Sequence, residues 1–321
     1  MRPGRRHAPN QEEHVSETAT DRMERDDFQA TSDPAVQSAA DSGRGNLLSY
    51  EQLYQLWERQ HWSAHAIDFT QDRHDWWERI PEEERFQRMY GLSSFFVGEQ
   101  KVADELGPMM RAAPTEQMRI FLCTQIADEA RHVEFFNRFY DEVGVLESGD
   151  LASRLQETKA HVNPEFDVLF DEMLGGRVSR LAQKPEDLEL LVETITLYHM
   201  VIEGMLALTG QHFILQYNED QGTLPGFVEG FNNVDRDEHR HVAFGARFLK
   251  EMAQADPRYG AAIERMLVEV APIADAVLRP QWYEDGQELF GVTLDDTREF
   301  AMTALARRMK VIGLAPVAEA S

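Results

Sequence analysis

Apolar positions recur every three to four residues over most of the chain, the spacing that lines one face of an α-helix, and not the alternation of a strand. Pro81-Glu82-Glu83-Glu84 opens a long helix, with proline at its start and acids in its first turn. It runs through Phe86, Met89, Tyr90, Leu92, Phe95, Phe96, Val102 and Leu106 to about Arg111. Pro114-Thr115-Glu116 begins a second helix ending near Gly144, and a weaker one over Pro164 to Leu181 is expected to break at Gly175-Gly176. Pro185-Glu186-Asp187 opens a fourth that reaches about Tyr217. Leu224-Pro225-Gly226 starts a fifth that stops before Pro257, and two more follow, about Tyr259 to Leu278 and Leu294 to Ile312. Upstream, Tyr50 to Trp62 reads as a short helix and Ile67-Asp68-Phe69-Thr70 as a turn leading to Trp76 and Trp77. No two alternating β-branched runs are joined by a hairpin turn. The expected fold class is therefore all-α, a helix bundle.

Composition narrows this. From Arg2 to Gly45 the large apolar residues are only Val15, Met23, Phe28 and Val36, too few to order a segment, so residues 1–45 read as a disordered tail. Residues 46–321 read as one domain. The net charge of −25, from 57 acidic and 32 basic residues, argues against nucleic acid or an anionic membrane as the main partner. Cys123 is the only cysteine, which excludes an intrachain disulfide and a thiolate-based zinc or iron–sulfur site and fits a reducing cytosol, a cytoplasmic setting. No uninterrupted apolar run approaches the ~20 residues of a membrane span, and the N-terminus lacks a signal peptide's apolar segment.

The candidate chemistry lies in two copies of Glu-x-x-His, Asp128-Glu129-Ala130-Arg131-His132 and Asp237-Glu238-His239-Arg240-His241, each mid-helix. Positions i and i+3 share a helix face, so each carboxylate–imidazole pair can grip one metal ion. A solvated polar face explains either copy alone equally well. Helix bundles that hold two metals add one Glu from each of two further helices. Glu99, among Phe95, Phe96, Val97 and Val102, and Glu203, within Val201-Ile202-Glu203-Gly204-Met205-Leu206, fill those places, because a glutamate in so apolar a stretch is costly to bury unpaired. Four carboxylates carry a charge of −4, which two divalent ions cancel. An oxygen-rich shell with two imidazoles suits iron or manganese better than zinc or copper. Asp237 is a candidate acceptor for the outer N–H of a ligand histidine. Asp128 reads equally as a solvated acid, and His199 as a core histidine with a hydrogen-bond partner.

These residues resemble the ribonucleotide reductase small-subunit superfamily of ferritin-like dimetal-carboxylate proteins, over roughly Ile67 to Gln281. Where radical-bearing reductase subunits commonly carry a tyrosine, four residues after the first ligand histidine, this chain has Phe136, and Gly313 to Ser321 lacks a tyrosine-bearing tail. Tyr198-His-Met-Val-Ile-Glu203-Gly-Met-Leu-Ala-Leu-Thr-Gly210, with Val102 three residues after Glu99, is similar to the manganese/iron ligand-binding oxidases of that superfamily. The resemblance implies a ferritin-like bundle and a manganese–iron pair, with di-iron as the alternative. Glu99, Glu129 and His132 would surround one ion and Glu203, Glu238 and His241 the other, some glutamates bridging. It further implies oxygen activation, a Val102–Tyr198 ether cross-link, a long-chain fatty acid or similar apolar ligand with its carboxylate on the metals, and a homodimer. The competing readings are a tyrosine-radical-free small subunit of class I ribonucleotide reductase and a non-catalytic metal-storage bundle. Spacing adds one structural demand. On a regular helix Tyr198 and Glu203 face about 140° apart, so both can face the metals only if the helix contains a π-type bulge.

Overall fold

A computed structural model describes residues 47–147 and 149–314; the expectation for residues 1–45 lies outside them. Helix α1 (Tyr50–Arg59) starts at a reciprocal Ser49–Gln52 cap. After the turn expected at Ile67–Thr70, helix α2 (Thr70–His74) runs into a π turn (Asp75–Arg79) that carries Trp76 and Trp77 and was not expected. The long helices α3 (Glu82–Ala112) and α4 (Glu116–Val143) begin behind Pro81 and at Thr115, whose hydroxyl accepts from the Met118 amide. Gly144, at φ +75°, ends α4. Helix α5 (Leu151–Thr158), capped by Asp150, was not visible as an apolar pattern.

The expected break at Gly175-Gly176 is absent. Residues 164–183 form one continuous rod, α6, made of Pro164–Asp167, a π stretch Val168–Gly175, and Gly176–Gln183. Both glycines keep helical φ values of −57° and −63°, and Gly175 brings the rod close to Glu105 of α3. Helix α7 (Leu188–Gln221) contains a second π stretch, Thr196–Ala207. Among the described residues it alone is long and apolar enough to cross a membrane by length and composition. It is the central rod of the bundle, with 83% of its most apolar window buried inside the protein.

Helix α8 (Pro225–Ala255) has no cap from its own chain neighbours. Leu224 adopts φ +53°, and the free amides of Gly226 and Phe227 are accepted by Asp72, that of Leu224 by Asp75. Two buried acids, Asp72 on α2 and Asp75 at the start of the π turn, thus fix where α8 starts, and so the height of Glu238 and His241. Helix α9 (Pro257–Val277) follows, then a short two-stranded antiparallel hairpin, β1 (Glu288–Leu289) and β2 (Val292–Thr293), a minor addition to the all-α fold expected from the sequence. Helix α10 (Leu294–Ile312) closes the described chain.

Two apolar clusters fill the bundle. One includes Val97, Val102, Phe121, Leu122, Met205 and Val242, the other Phe96, Phe135, Phe136, Phe139, Phe227 and Phe231. On α3, α4 and α8 the polar positions 99, 129–132 and 238–241 fall where one cluster gives way to the other. Each buried phenylalanine contributes about 2 kcal/mol by removal from water. At Gly230 of α8 a Cβ would overlap the Phe135 ring. Gly230→Ala is therefore expected to lower stability by about 1–3 kcal/mol through overpacking. Denaturant midpoints check this, and an unchanged midpoint would contradict the packing.

Candidate metal centre

The four long helices α3, α4, α7 and α8 bring Glu99, Glu129, His132, Glu203, Glu238 and His241 into one buried cluster. His132 Nδ1 lies 3.2 Å from Glu99 Oε2, 3.3 Å from Glu129 Oε2 and 3.5 Å from Glu238 Oε1. His241 Nδ1 lies 3.4 Å from Oε1 of both Glu129 and Glu203, and 3.7 Å from Glu238 Oε2. The side chains form two overlapping sets, Glu99–Glu129–His132–Glu238 and Glu129–Glu203–Glu238–His241, each with its donor atoms within 4.8 Å of one another. Glu129 and Glu238 belong to both, so these are the two carboxylates able to bridge a pair of ions.

Behind this cluster the aspartates work crosswise. His132 Nε2 meets Asp237 Oδ2 at 3.2 Å, and His241 Nε2 meets Asp128 Oδ2 at 3.2 Å. Asp128 is thus a buried partner of the opposite motif's histidine, and the solvated reading fails. Trp57 donates to Asp128 and Trp62 to Asp237 through their indole N–H groups. Arg240 donates to both aspartates, at 2.9 and 2.6 Å, and Arg131 to Asp128 at 2.5 Å. This layer holds two aspartates and two arginines and is neutral by itself. With both Nε2 atoms paired outward to aspartates, both Nδ1 atoms face the carboxylates, the orientation that frees Nδ1 for a metal once its proton is lost.

The inner layer is not neutral. Without metal, burial pushes the carboxyls of Glu99, Glu203 and Glu238 above the ordinary range. Glu129 goes the other way: burial alone would raise it, but the His132 hydrogen bond and the His241 charge bring it down to about 2. Burial alone would also lower both histidines; the Glu99 charge holds His132 up, and the Asp128 hydrogen bond His241. Protons therefore do part of the neutralising that cations would do. Among the described residues, buried Glu129 Oε2, Glu203 Oε2, Glu238 Oε2 and His241 Nδ1 lack a hydrogen-bond partner. Orphaned buried donors of this kind, in a cluster of four carboxylates and two imidazoles, fit a pair of hard divalent cations.

The sequence profile of the ribonucleotide reductase small chain matches residues 47–320. The chain belongs to the ribonucleotide reductase small-chain family. Its membership makes it an oxidoreductase of the ferritin-like, dimetal-carboxylate kind. Solved structures similar to it include a variant of an R2-like ligand-binding oxidase with aerobically reconstituted Mn/Fe cofactor, 26% identical, covering 82% of this chain and 94% of that one, TM-score 0.71. A second variant of that description is 26% identical over 82% of this chain and 93% of that one, TM-score 0.72. A third, with anaerobically reconstituted Mn/Fe cofactor, is 25% identical over 82% and 93%, TM-score 0.70. The Mn/Fe cofactor of those structures is matched in kind by the carboxylate–histidine donor set found in this member of the family.

Val102 and Tyr198 both sit at this centre's edge. The π stretch replaces i→i+4 by i→i+5 hydrogen bonds, and Tyr198 comes round to the face of Glu203. Its hydroxyl donates to Glu129 Oε1 at 3.0 Å, and burial, then the Glu129 charge, push the phenol well above its usual range. Val102 is buried and lines, beside Glu99, a cavity of about 160 Å³. Among the described residues, the only charged ones on the cavity wall are Glu99, Glu203 and Glu238; the rest is largely aliphatic and aromatic.

Sequence reasoning missed Gln125. Its amide nitrogen donates to Glu203 Oε1 at 2.7 Å and Glu129 Oε1 at 3.3 Å, while its Oε1 accepts from His199 Nε2 at 3.1 Å. Burial, then the His241 charge, bring His199 down to about 3, so it donates as a neutral imidazole. The signal was present, since Gln125 stands one turn before Glu129 among Phe121, Leu122 and Ile126. Arg131 and Arg240 also carried a signal, standing at the same place in both Asp-Glu-x-Arg-His copies, whereas Trp57 and Trp62 carried none.

Proposed function

We propose that the chain is an O2-dependent dimetal oxidase that oxidises, by two electrons, a bound apolar ligand of the fatty-acid class. Glu99, Glu129, His132, Glu203, Glu238 and His241 would hold one manganese and one iron ion. The observation that carries the reading is the union of this cluster with the cavity: three of its carboxylates form a charged end to an otherwise apolar space among the described residues. A long alkyl chain fits such a wall, with its own carboxylate directed to the charged end once cations cancel the charge there and can take a further oxygen ligand. The similarity to solved R2-like ligand-binding oxidases supports the same reading over a reductase subunit or a storage bundle.

Bound metals would supply the redox chemistry that couples O2 reduction to the oxidation. The chain's own residues do the remainder. Asp128 and Asp237 hold the histidine rings, Gln125 holds Glu203 and Glu129, and the phenylalanine cluster keeps bulk water away. Glu129 Oε1 is in place to accept the Tyr198 phenol proton. In the proposed cross-link a C–O bond forms between the Val102 side chain and the tyrosine oxygen. One C–H and one O–H bond break, and the two electrons and two protons pass to O2. The chain should therefore lose the mass of two hydrogens on aerobic loading with manganese and iron. Intact-mass and peptide mass spectrometry read this directly. Tyr198→Phe should show no loss, and an unchanged mass in the loaded wild type would defeat the cross-link. Residues 46–321 would act as one domain, in a homodimer and in the cytoplasm, where the exposed thiol of Cys123 stays reduced.

A further inference from the structure

The far end of the cavity carries an anomaly. The hairpin pairs Leu289 with Val292, which leaves Phe290-Gly291 as a two-residue loop. Both loop residues have positive φ, +52° for Phe290 and +75° for Gly291. Such a loop favours Asn-Gly, and a bulky aromatic at its first position is an outlier in the left-handed region. Outliers of this kind persist where they serve a site. Here the backbone turns the Phe290 ring into the cavity wall. The ring is wedged between Tyr217, edge to face at 5.9 Å, and the surface of α3 at Gly91. A Cβ on Gly91 would stand 2.9 Å from Phe290 Cε2 and 3.1 Å from Ile214 Cδ1, so the absence of a side chain there makes room for the ring. Gly91 and Glu99 both line the cavity and stand eight residues apart on α3, about 12 Å along the axis.

We propose that Phe290 is the terminal wall of the ligand site, so that its ring sets the longest straight alkyl chain the cavity admits. The proposal rests on the reading of the cavity as a fatty-acid site. The charged end at Glu99, Glu203 and Glu238 fixes the head of the ligand, and the ring stops its tail. A turn residue that serves only the hairpin would be asparagine or glycine. The phenylalanine forgoes that preference and places an apolar face on the cavity.

The test uses the full chain, loaded with manganese and iron and stripped of lipid, in displacement titrations with octanoate, decanoate, laurate, myristate and palmitate. Each added methylene that stays buried should strengthen binding about fourfold. In the wild type that gain should stop, and affinity fall, at the acid whose terminal methyl reaches Phe290. In Phe290→Asn the fall should move to a longer acid, and Phe290→Gly, which also tolerates positive φ, should show the same shift. A purely structural ring predicts no such shift, while thermal midpoints at or above wild type show that both variants keep their turn. Identical length profiles in wild type and variants would overturn the role of Phe290 and leave the fatty-acid reading standing. Failure of all five acids to bind wild type and variants alike would overturn that reading, and the proposal with it.

Discussion

Glu238→Gln is expected to reduce bound metal from about two ions per chain to fewer than one, measured by elemental analysis after loading and gel filtration. Glu238 belongs to both donor sets, so the exchange takes a charged oxygen from each ion at once. It also leaves the inner layer one negative charge short of two divalent cations, an imbalance that burial makes costly. The metal-free protein should respond in the opposite direction. Burial, then the Glu129 charge, raise the Glu238 carboxyl above its usual range. Such a group favours the folded state most when protonated, and the benefit is lost as pH rises through its folded-state value. At neutral pH the ionised form is the burdensome one, so the glutamine variant should unfold at the same temperature or higher. At acid pH, where Glu238 is protonated in both states, that advantage should vanish. Metal added at a hundred times its dissociation constant should stabilise the wild type by about 2.7 kcal/mol and the variant by little. A variant that still binds two ions would show that Glu238 is not a ligand.

Asp237→Ala is expected to cost about 3–5 kcal/mol of stability, because it strips a buried ion pair of one member. Arg240 is 1% exposed and shares its guanidinium between Asp237 and Asp128. The indole of Trp62 and the ring of His132 lose their acceptor at the same time. Without that acceptor the His132 tautomer is no longer fixed, and metal affinity should fall about 10–100-fold. Urea unfolding of the metal-free protein separates the first effect from the second. Asp128→Ala should show the same pair of losses through His241, since the two motifs hold each other's histidines. A loss below about 1 kcal/mol for Asp237→Ala would place this network in the weak class of solvent-exposed ion pairs.

The helices were legible because their apolar period and their proline, threonine and aspartate starts agree with one another. The six side chains of the buried cluster were legible because i, i+3 spacing and isolated acids in apolar runs are local signals. The outer layer was less so. Asp237 could be proposed from its neighbour, but Asp128 pairs with a histidine on another helix, and nothing in the local pattern says that the partnership is crossed. Trp57 and Trp62 reach the aspartates from α1 and the loop after it, which only the packing decides. The π stretch Thr196–Ala207 followed from the demand that Tyr198 and Glu203 share a face, whereas the one at Val168–Gly175 had no such demand behind it. The hairpin stayed hidden because its strands are two residues long and its turn begins with phenylalanine.

The central claim is that four helices enclose two ions between Glu99, Glu129, His132, Glu203, Glu238 and His241. Anomalous diffraction at the manganese and iron edges, on crystals of the loaded chain, tests it most directly. The account predicts two peaks, one inside Glu99–Glu129–His132–Glu238 and one inside Glu129–Glu203–Glu238–His241, with Glu129 and Glu238 reaching both. Peaks elsewhere, or a single peak in a fully loaded protein, would contradict it.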